Sequence, residues 1–226
     1  MRISLLTVSL IGGIVGLGTL LSRHALAGEY EEPAYEVVQS HTDWELRQYA
    51  PVIEAQVTVD GPYDRAVSDG FRLLAGYIFG KNAPNEKIAM TAPVAAQSAD
   101  GQKIAMTAPV ATTPSSASAV DEARSWTVAF TMPGEWSLDT LPTPLDERVS
   151  LVEVPQQRWA VLQFSGKANA KTSEKRRQEL LAGVAIAGLE PVGEAVIAQY
   201  NPPWIPGVFR RNEVKIPVAS AEHSLQ

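Results

Sequence analysis

Alternation of apolar and polar residues predicts most of the regular structure in this chain. A period of two residues is typical of a half-buried strand, and it recurs here in short segments that turn-forming residues separate. Near the start, the pattern predicts two strands joined by a turn at residues 41–43, and then a third strand. The predicted strands cover residues 35–38, 44–49, 52–59, 126–132, 149–154, 159–164, 194–200 and 213–218.

Two segments show the period of an amphipathic helix instead. The first covers residues 63–79, where Gly80 and Asn82 supply a stop, and the second covers residues 171–187. Together with the strands, they favour an α+β fold in which helices pack on one sheet. The apolar stripe of the first helix consists of Val67, Phe71, Leu74, Ala75 and Ile78.

A long-range similarity connects the two predicted helices. The sequence Leu-Leu-Ala-Gly at residues 73–76 recurs at residues 180–183, an offset of 107 residues. At the same offset, the strand at 53–57 falls on residues 160–164. Leu and Ala are common in helices, so the helix match alone could arise by chance, but the matching strand favours an internal duplication. Two β-α-β-β units would then pair into one distorted antiparallel barrel flanked by both helices.

A second repeat is short and identical. Residues 87–95 recur without change as residues 103–111, with a turn signal at Asp100-Gly101 between the copies. Each copy alternates like a strand, and its proline limits that strand to a sheet edge or to a strand end. The pair therefore predicts a hairpin, and the following Ala-, Ser- and Thr-rich residues 111–124 predict an exposed loop.

The first 27 residues are typical of a secretory signal peptide. Arg2 precedes an apolar stretch at residues 5–21, and Ala25-Leu26-Ala27 offers a cleavage site of small residues. An uncleaved inner-membrane anchor is the alternative, because a span needs about 20 apolar residues. In either case we expect residues 28–226 to form one periplasmic domain, with its core at residues 33–218 and a loose tail at residues 219–226.

Charge and cysteine content exclude several classes of function. Without residues 1–27, the chain has 17 Lys and Arg residues against 25 Asp and Glu residues. Such an acidic domain is poorly suited to nucleic acids or to anionic membrane surfaces, both of which bind basic patches. The absence of cysteine excludes thiolate ligands for zinc, iron–sulfur clusters or haem, and it excludes thiol catalysis.

Several motifs, taken in order, resemble the SOUL haem-binding family. They are Tyr-Glu-Val at 35–37, Glu-Leu-Arg-Gln-Tyr at 45–49, Tyr-Ile-Phe-Gly-Lys-Asn at 77–82, Lys-Ile-Ala-Met-Thr-Ala-Pro-Val at 87–94, Tyr-Asn-Pro-Pro at 200–203 and Arg-Arg-Asn-Glu-Val at 210–214. The resemblance implies a distorted β-barrel of two β-α-β-β repeats with two flanking helices, similar to the effector-binding domains of bacterial regulators. It also implies a planar ligand, haem or a related porphyrin, in a mostly apolar groove beside the first helix.

The resemblance places the ligand on the first helix and on the loop after Tyr-Asn-Pro-Pro. For any one residue of the helix stripe, an ordinary place in the core is the commoner role. The indole of Trp204 fits either a stacking platform for the ligand or an anchor that the loop buries. The predicted contacts are Val67, Phe71, Leu74, Ala75, Ile78, Trp204, Ile205 and Arg210.

This chain departs from the family where iron and propionates would be held. Gln48 stands where one branch of the family has an axial histidine, and glutamine is a poor iron ligand. At the positions of the implicated basic residues the chain has Ser68, Gly76 and Ile205. We therefore expect apolar contact, not a firm axial ligand, to hold the macrocycle. The weak candidates for a metal ligand are His41, Met90 and Met106.

Sequence motifs favour a binding protein over an enzyme. The chain contains no nucleophile elbow, no phosphate-binding loop and no cluster with metal-ligand spacing. The leading hypothesis is a carrier, buffer or scavenger of a tetrapyrrole. Two alternatives stay open: a module of the same fold that binds another small molecule or a protein, and a hydrolase that uses paired strand carboxylates.

Overall fold

The regular elements follow the predicted order of strands and helices. A computed structural model describes residues 30–83, 104, 106–114, 125–202 and 204–219. The elements in these residues are β1 (Tyr35–Ser40), β2 (Glu45–Tyr49), β3 (Val52–Asp60), α1 (Tyr63–Ile78), β4 (Asn82–Ala83), β5 (Val110–Pro114), β6 (Ser125–Thr131), β7 (Thr143–Pro144), β8 (Val149–Val154), β9 (Gln157–Phe164), α2 (Ala170–Ile186), β10 (Val196–Gln199), a 3-10 helix (Gly207–Phe209) and β11 (Asn212–Val218). Both predicted helices are confirmed to within one residue at each end.

Nine of the strands form one antiparallel sheet that curls into a half-barrel. Their order is β1-β2-β9-β11-β10-β5-β6-β3-β8, while β4 and β7 pair separately. Pairing of β2 with β9 places Gln48 opposite Arg158, 110 residues further along the chain. The expected α+β fold, a curved antiparallel sheet with two helices, is thus confirmed.

The strand order repeats on the two sides of the β10–β5 contact. One side runs β10, β11, β9 and β2, and the other runs β5, β6, β3 and β8. Helix α1 follows β3 and helix α2 follows β9, and a shift of 107 residues moves α1 onto residues 170–185 of α2. This symmetry agrees with two β-α-β-β units, and their origin by duplication stays a prediction.

Helix α1 packs on β3, β6 and β8 through its apolar side. Leu74 and Ile78 are fully buried there, in a core that includes Val57. Close approach depends on Gly70, because a Cβ at that position would lie 2.5 Å from Val128 Cγ2. Glycine is the residue that lets the helix backbone come this near to the sheet.

Helix α2 covers the other half of the sheet, on β9 and β11. Its first turn is capped by Asn169, whose side chain accepts a hydrogen bond from the Thr172 backbone N–H. A Cβ at Gly183 would lie 2.6 Å from Trp44 Nε1, so a second glycine allows this helix to pack. No helix among the described residues is long and apolar enough to cross a membrane.

Two predictions near the short repeat are wrong. Strand β5 occupies the start of the stretch expected to be an exposed loop, and Thr112 is fully buried in it. Residues 106–109 of the second copy are not a strand, since Pro109 lacks the N–H that a strand ladder uses. The first copy of the repeat, the predicted signal peptide and residues 220–226 of the tail lie outside the described residues.

Candidate functional site

A buried cluster of charged side chains lies on the sheet face turned away from α2. Alternate residues of β11 pack under α2, so Glu213 and Lys215 point to the opposite face. Glu213 has no exposed surface. Its carboxylate accepts hydrogen bonds from Arg47 Nη1 at 3.0 Å, Arg211 Nη2 at 3.2 Å and the Tyr200 hydroxyl at 2.6 Å.

Each cation of this cluster also lies over an aromatic ring. Such contacts strengthen when water is excluded, and they offset part of the cost of burying charge. The distances to the ring centres are 4.3 Å from Arg47 to Tyr35, 3.7 Å from Arg211 to Tyr200, and 4.4 and 5.2 Å from Lys215 to Tyr49 and Trp159.

Burial and charge oppose each other at Glu213. Burial alone would raise the pKa of its carboxyl group, but attraction to Arg47 and the hydrogen bond from Tyr200 outweigh it and lower that pKa. Burial raises the pKa of the Tyr200 hydroxyl well above its usual value, so the group stays a donor. Burial also lowers the pKa of the Lys215 ammonium group, against the attraction of Glu213. Since Glu213 is fully buried and its carboxylate already accepts three hydrogen bonds from the protein, this cluster does not offer an open binding position.

An open cleft of about 700 Å³ lies at one end of the sheet. This volume is within the range of about 300–1,000 Å³ that is usual for small-molecule sites. Ile53, Met132 and Trp136 line it and also pack with the core beneath α1. The walls consist of residues 31–34, 50–53, 107, 131–134, 136 and 153–156.

The rim of the cleft is acidic. Glu31, Glu32 and Glu153 line it, and the described lining residues include no lysine or arginine. Glu32 is paired with both terminal nitrogens of Arg211 at 3.0 Å. Glu31 accepts a hydrogen bond from the Gly134 backbone N–H at 2.9 Å, which leaves its charge in place. An anionic group at this rim would therefore meet negative charge.

The predicted contacts on α1 do not line this cleft. Leu74 and Ile78 are fully buried beneath the helix, in the core that α1 forms with the sheet. The other three residues of the stripe are half-buried: Val67, Phe71 and Ala75.

The remaining predicted contacts lie in the loop between β10 and β11. Trp204 is 75% exposed, so the interpretation of its indole as a buried anchor is wrong. Ile205 is half-buried, and its carbonyl accepts a hydrogen bond from Arg210 Nε at 2.7 Å. The carbonyl of Gly207 accepts from the Gly166 N–H, which places this loop beside the segment that leads into α2. None of these residues lines the cleft.

The weak metal candidates are not gathered at one point. His41 is half-buried, and its ring stacks on that of Trp44 with 3.8 Å between centres. Met106 is half-buried against the core beneath α1, and Met90 lies outside the described residues. In the part of the chain that the structure describes, no group of three or more His, Cys, Asp or Glu residues could hold a metal ion.

The sequence analysis missed the residues that shape the cleft. Proline is the signal that could have found it, because a proline stands in each of four wall segments: Pro33, Pro51, Pro133 and Pro155. Proline interrupts strand pairing, so these four residues mark the positions where neighbouring strands stop, at the same end of the sheet.

Comparisons with known proteins agree with this fold. Heme-binding protein 2 of Homo sapiens is 29% identical over 144 residues, which covers 63% of this chain and 60% of that protein. The protein of the same name from Mus musculus is 28% identical over 139 residues, which covers 61% and 58%. The match therefore spans less than two thirds of either relative.

Solved structures share the architecture at low sequence identity. The EcmrR C-terminal domain has a TM-score of 0.55 and 10% identity, with 82% of this chain and 98% of that chain covered. A hydrolase from Listeria innocua has a TM-score of 0.50 and 13% identity, with 80% and 94% covered. These similarities concern the fold alone. The family model for the SOUL heme-binding protein matches residues 30–217, and the chain therefore belongs to the SOUL haem-binding family.

Proposed function

We propose that this protein binds haem or a related porphyrin in the cleft at the end of the sheet. The observation that carries the proposal is an apolar opening of about 700 Å³ in a chain of the haem-binding family. The proposed position differs from the predicted one, because none of the predicted contacts on α1 or in the loop between β10 and β11 lines the cleft. Ile53 and Met132 both line it and pack beneath α1, so the ligand would rest against the core of that helix and not against its exposed side.

The residues of the cleft fit a macrocycle better than its iron. Val52, Met132 and Trp136 offer apolar and aromatic surface to a flat ring. Gln48, at the family's axial position, is already engaged, because its Oε1 accepts a hydrogen bond from Arg158 Nε at 3.0 Å. Bound haem would supply an iron centre, but the described residues give it no firm ligand.

Porphyrin titration with a cleft-filling variant tests this proposal. We expect saturable binding of haemin and of metal-free protoporphyrin, with dissociation constants within about tenfold of each other. Ala34 is exposed and lines the cleft, so Ala34→Trp should weaken the binding of haemin and of protoporphyrin by about tenfold or more. The control Ala185→Trp, on the exposed side of α2, should leave both affinities unchanged. Absence of binding would refute the function. Unchanged binding to Ala34→Trp would refute the location.

The acidic rim favours a second candidate, an apolar ligand without carboxylates. Glu31 and Glu153 would repel a dianionic porphyrin but not a neutral aromatic molecule. The probe is Nile red, added to the wild type and to Ala34→Trp. Fluorescence enhancement that Ala34→Trp removes, in a protein that binds neither porphyrin, would support this candidate. Enhancement that both proteins share would exclude it.

We also propose that the domain acts outside the cytoplasm as a carrier, buffer or scavenger. The support is the basic, apolar and small-residue sequence of residues 1–27. Mass spectrometry of the protein from a fractionated bacterial cell tests it. A periplasmic chain that begins at Gly28 supports a cleaved signal, and a full-length chain in the membrane fraction supports an anchor. A cytoplasmic chain would contradict the proposal.

A further inference from the structure

The loop between β10 and β11 presents a protruding apolar tip to solvent. Trp204, Val208 and Phe209 are 75%, 74% and 75% exposed. Single exposed apolar residues are common, but three large ones within one short loop mark an interaction surface. We call these three residues the tip.

Internal hydrogen bonds give the tip a defined shape. The Ile205 N–H donates to the Pro202 carbonyl at 3.1 Å, and the Phe209 N–H donates to the Pro206 carbonyl at 2.9 Å. Arg210 Nε donates to the Ile205 carbonyl at 2.7 Å. These bonds fix the backbone of the loop, so little backbone conformational entropy is left to lose when the tip binds.

Two exposed lysines lie in the segments at the base of the tip. The Gly166 N–H donates to the Gly207 carbonyl at 2.9 Å, so residues 164–173 and 199–212 meet at the base of the tip. Neither segment contains an aspartate or glutamate, although the chain has more acids than bases. Lys167 and Lys171 are exposed here, Arg210 is half-buried, and the charge of Arg211 is paired with Glu32 and Glu213.

We propose that the tip inserts into the surface of an anionic lipid bilayer. Trp204 would sit at the headgroup level that tryptophan prefers, with Val208 and Phe209 beside it. Lys167 and Lys171 would face the lipid phosphates, since juxtaposed basic residues add to membrane affinity. A stable protein interface buries about 800 Å² on each partner, which needs a broader and flatter patch than one loop. The net negative charge of the chain predicts weak binding to an anionic bilayer, but the two segments at the base of the tip contain no aspartate or glutamate.

Vesicle sedimentation tests the proposal. The chain from residue 28 is suitable because residues 30–219 hold the whole sheet and both helices. We expect it to sediment with vesicles of equal parts phosphatidylglycerol and phosphatidylcholine, less with phosphatidylcholine alone, and less at high salt. Trp204→Ser/Phe209→Ser should lower the partition coefficient by about tenfold or more. Lys167→Glu/Lys171→Glu should do so mainly at low salt.

A matched control separates insertion from general stickiness. Ile186 is 89% exposed on α2, and Ile186→Ser should leave the partition coefficient unchanged. All variants should keep the unfolding temperature of the wild type, because the altered residues are exposed. The proposal is overturned if the wild type does not sediment with the anionic vesicles, or if the tip variant sediments equally well. A dimer in analytical ultracentrifugation that the tip variant abolishes would point instead to a second copy of the chain and would also overturn it.

Discussion

Neutralising Glu213 tests how the interior of the sheet is held together. In Glu213→Gln the side chain keeps its size, but its amide group cannot accept hydrogen bonds on both sides. Glu213 is 0% exposed and Arg47 is 5% exposed, so the cations would stay buried with part of their partner removed. Breaking a buried pair in this way costs about 3–5 kcal/mol of unfolding free energy.

A second carboxylate on the same arginine supplies the control. Glu45 accepts a hydrogen bond from Arg47 Nε at 2.8 Å, but its side chain is 37% exposed. Glu45→Gln should therefore cost no more than about 1 kcal/mol. Urea unfolding at neutral pH, followed by tryptophan fluorescence, should give a much lower midpoint for Glu213→Gln alone, with an unchanged m-value. Equal losses for the two variants, or a loss below about 1 kcal/mol for Glu213→Gln, would refute the reasoning.

Three further predictions concern acid, helix packing and the buried lysine. Folding lowers the pKa of Glu213, so the contribution of this carboxylate to stability is full above the ordinary pKa of 4.5 and is lost as the pH falls through the pKa of the folded state. The urea midpoints of the wild type and Glu213→Gln should therefore converge in acid. Midpoints that stay equally far apart at every pH would contradict this. Gly70→Ala should lower the free energy of unfolding in urea by about 1–3 kcal/mol, because the new methyl group clashes with Val128, and adding Val128→Ala should restore part of the loss. Gly76→Ala meets only the flexible side chain of Lys81, so it should raise the free energy of unfolding by up to about 1 kcal/mol. Lys215→Met should lower the free energy of unfolding by less than about 1 kcal/mol, because methionine keeps apolar contact with the rings of Tyr49 and Trp159 and removes a buried charge. A large drop in the unfolding temperature would contradict this.

Elements with a strong periodic pattern could be predicted from the sequence. The stripe of α1 and the alternation of β3 are long enough to mark their own ends. Strand β5 could not be recognised, because Val-Ala-Thr-Thr-Pro lacks alternating large apolar residues. Its place in the sheet comes from pairing with β6 and β10, which buries Thr112 completely.

The functional surfaces depend on contacts that no local pattern contains. Pairing of Arg211 with Glu213 follows from their spacing of two residues, but Arg47 joins them from 166 residues before Glu213. The cleft combines five segments that are distant in the chain, and the strand order brings them together. Exposure of Trp204 was equally hidden, because a tryptophan between prolines suits a buried anchor as well as a protruding tip.

The pairing of β2 with β9 has a consequence for the time course of folding. β1 joins the main sheet only through β2, and the partner of Gln48 is synthesised 110 residues later. Until β9 docks, the edge of β2 that faces it has no partner, and pairing across so long a loop is slow. An unpaired strand edge is a template for association with other chains. In a chain that folds after export, this edge of β2 is therefore the surface that a chaperone would shield before β9 docks.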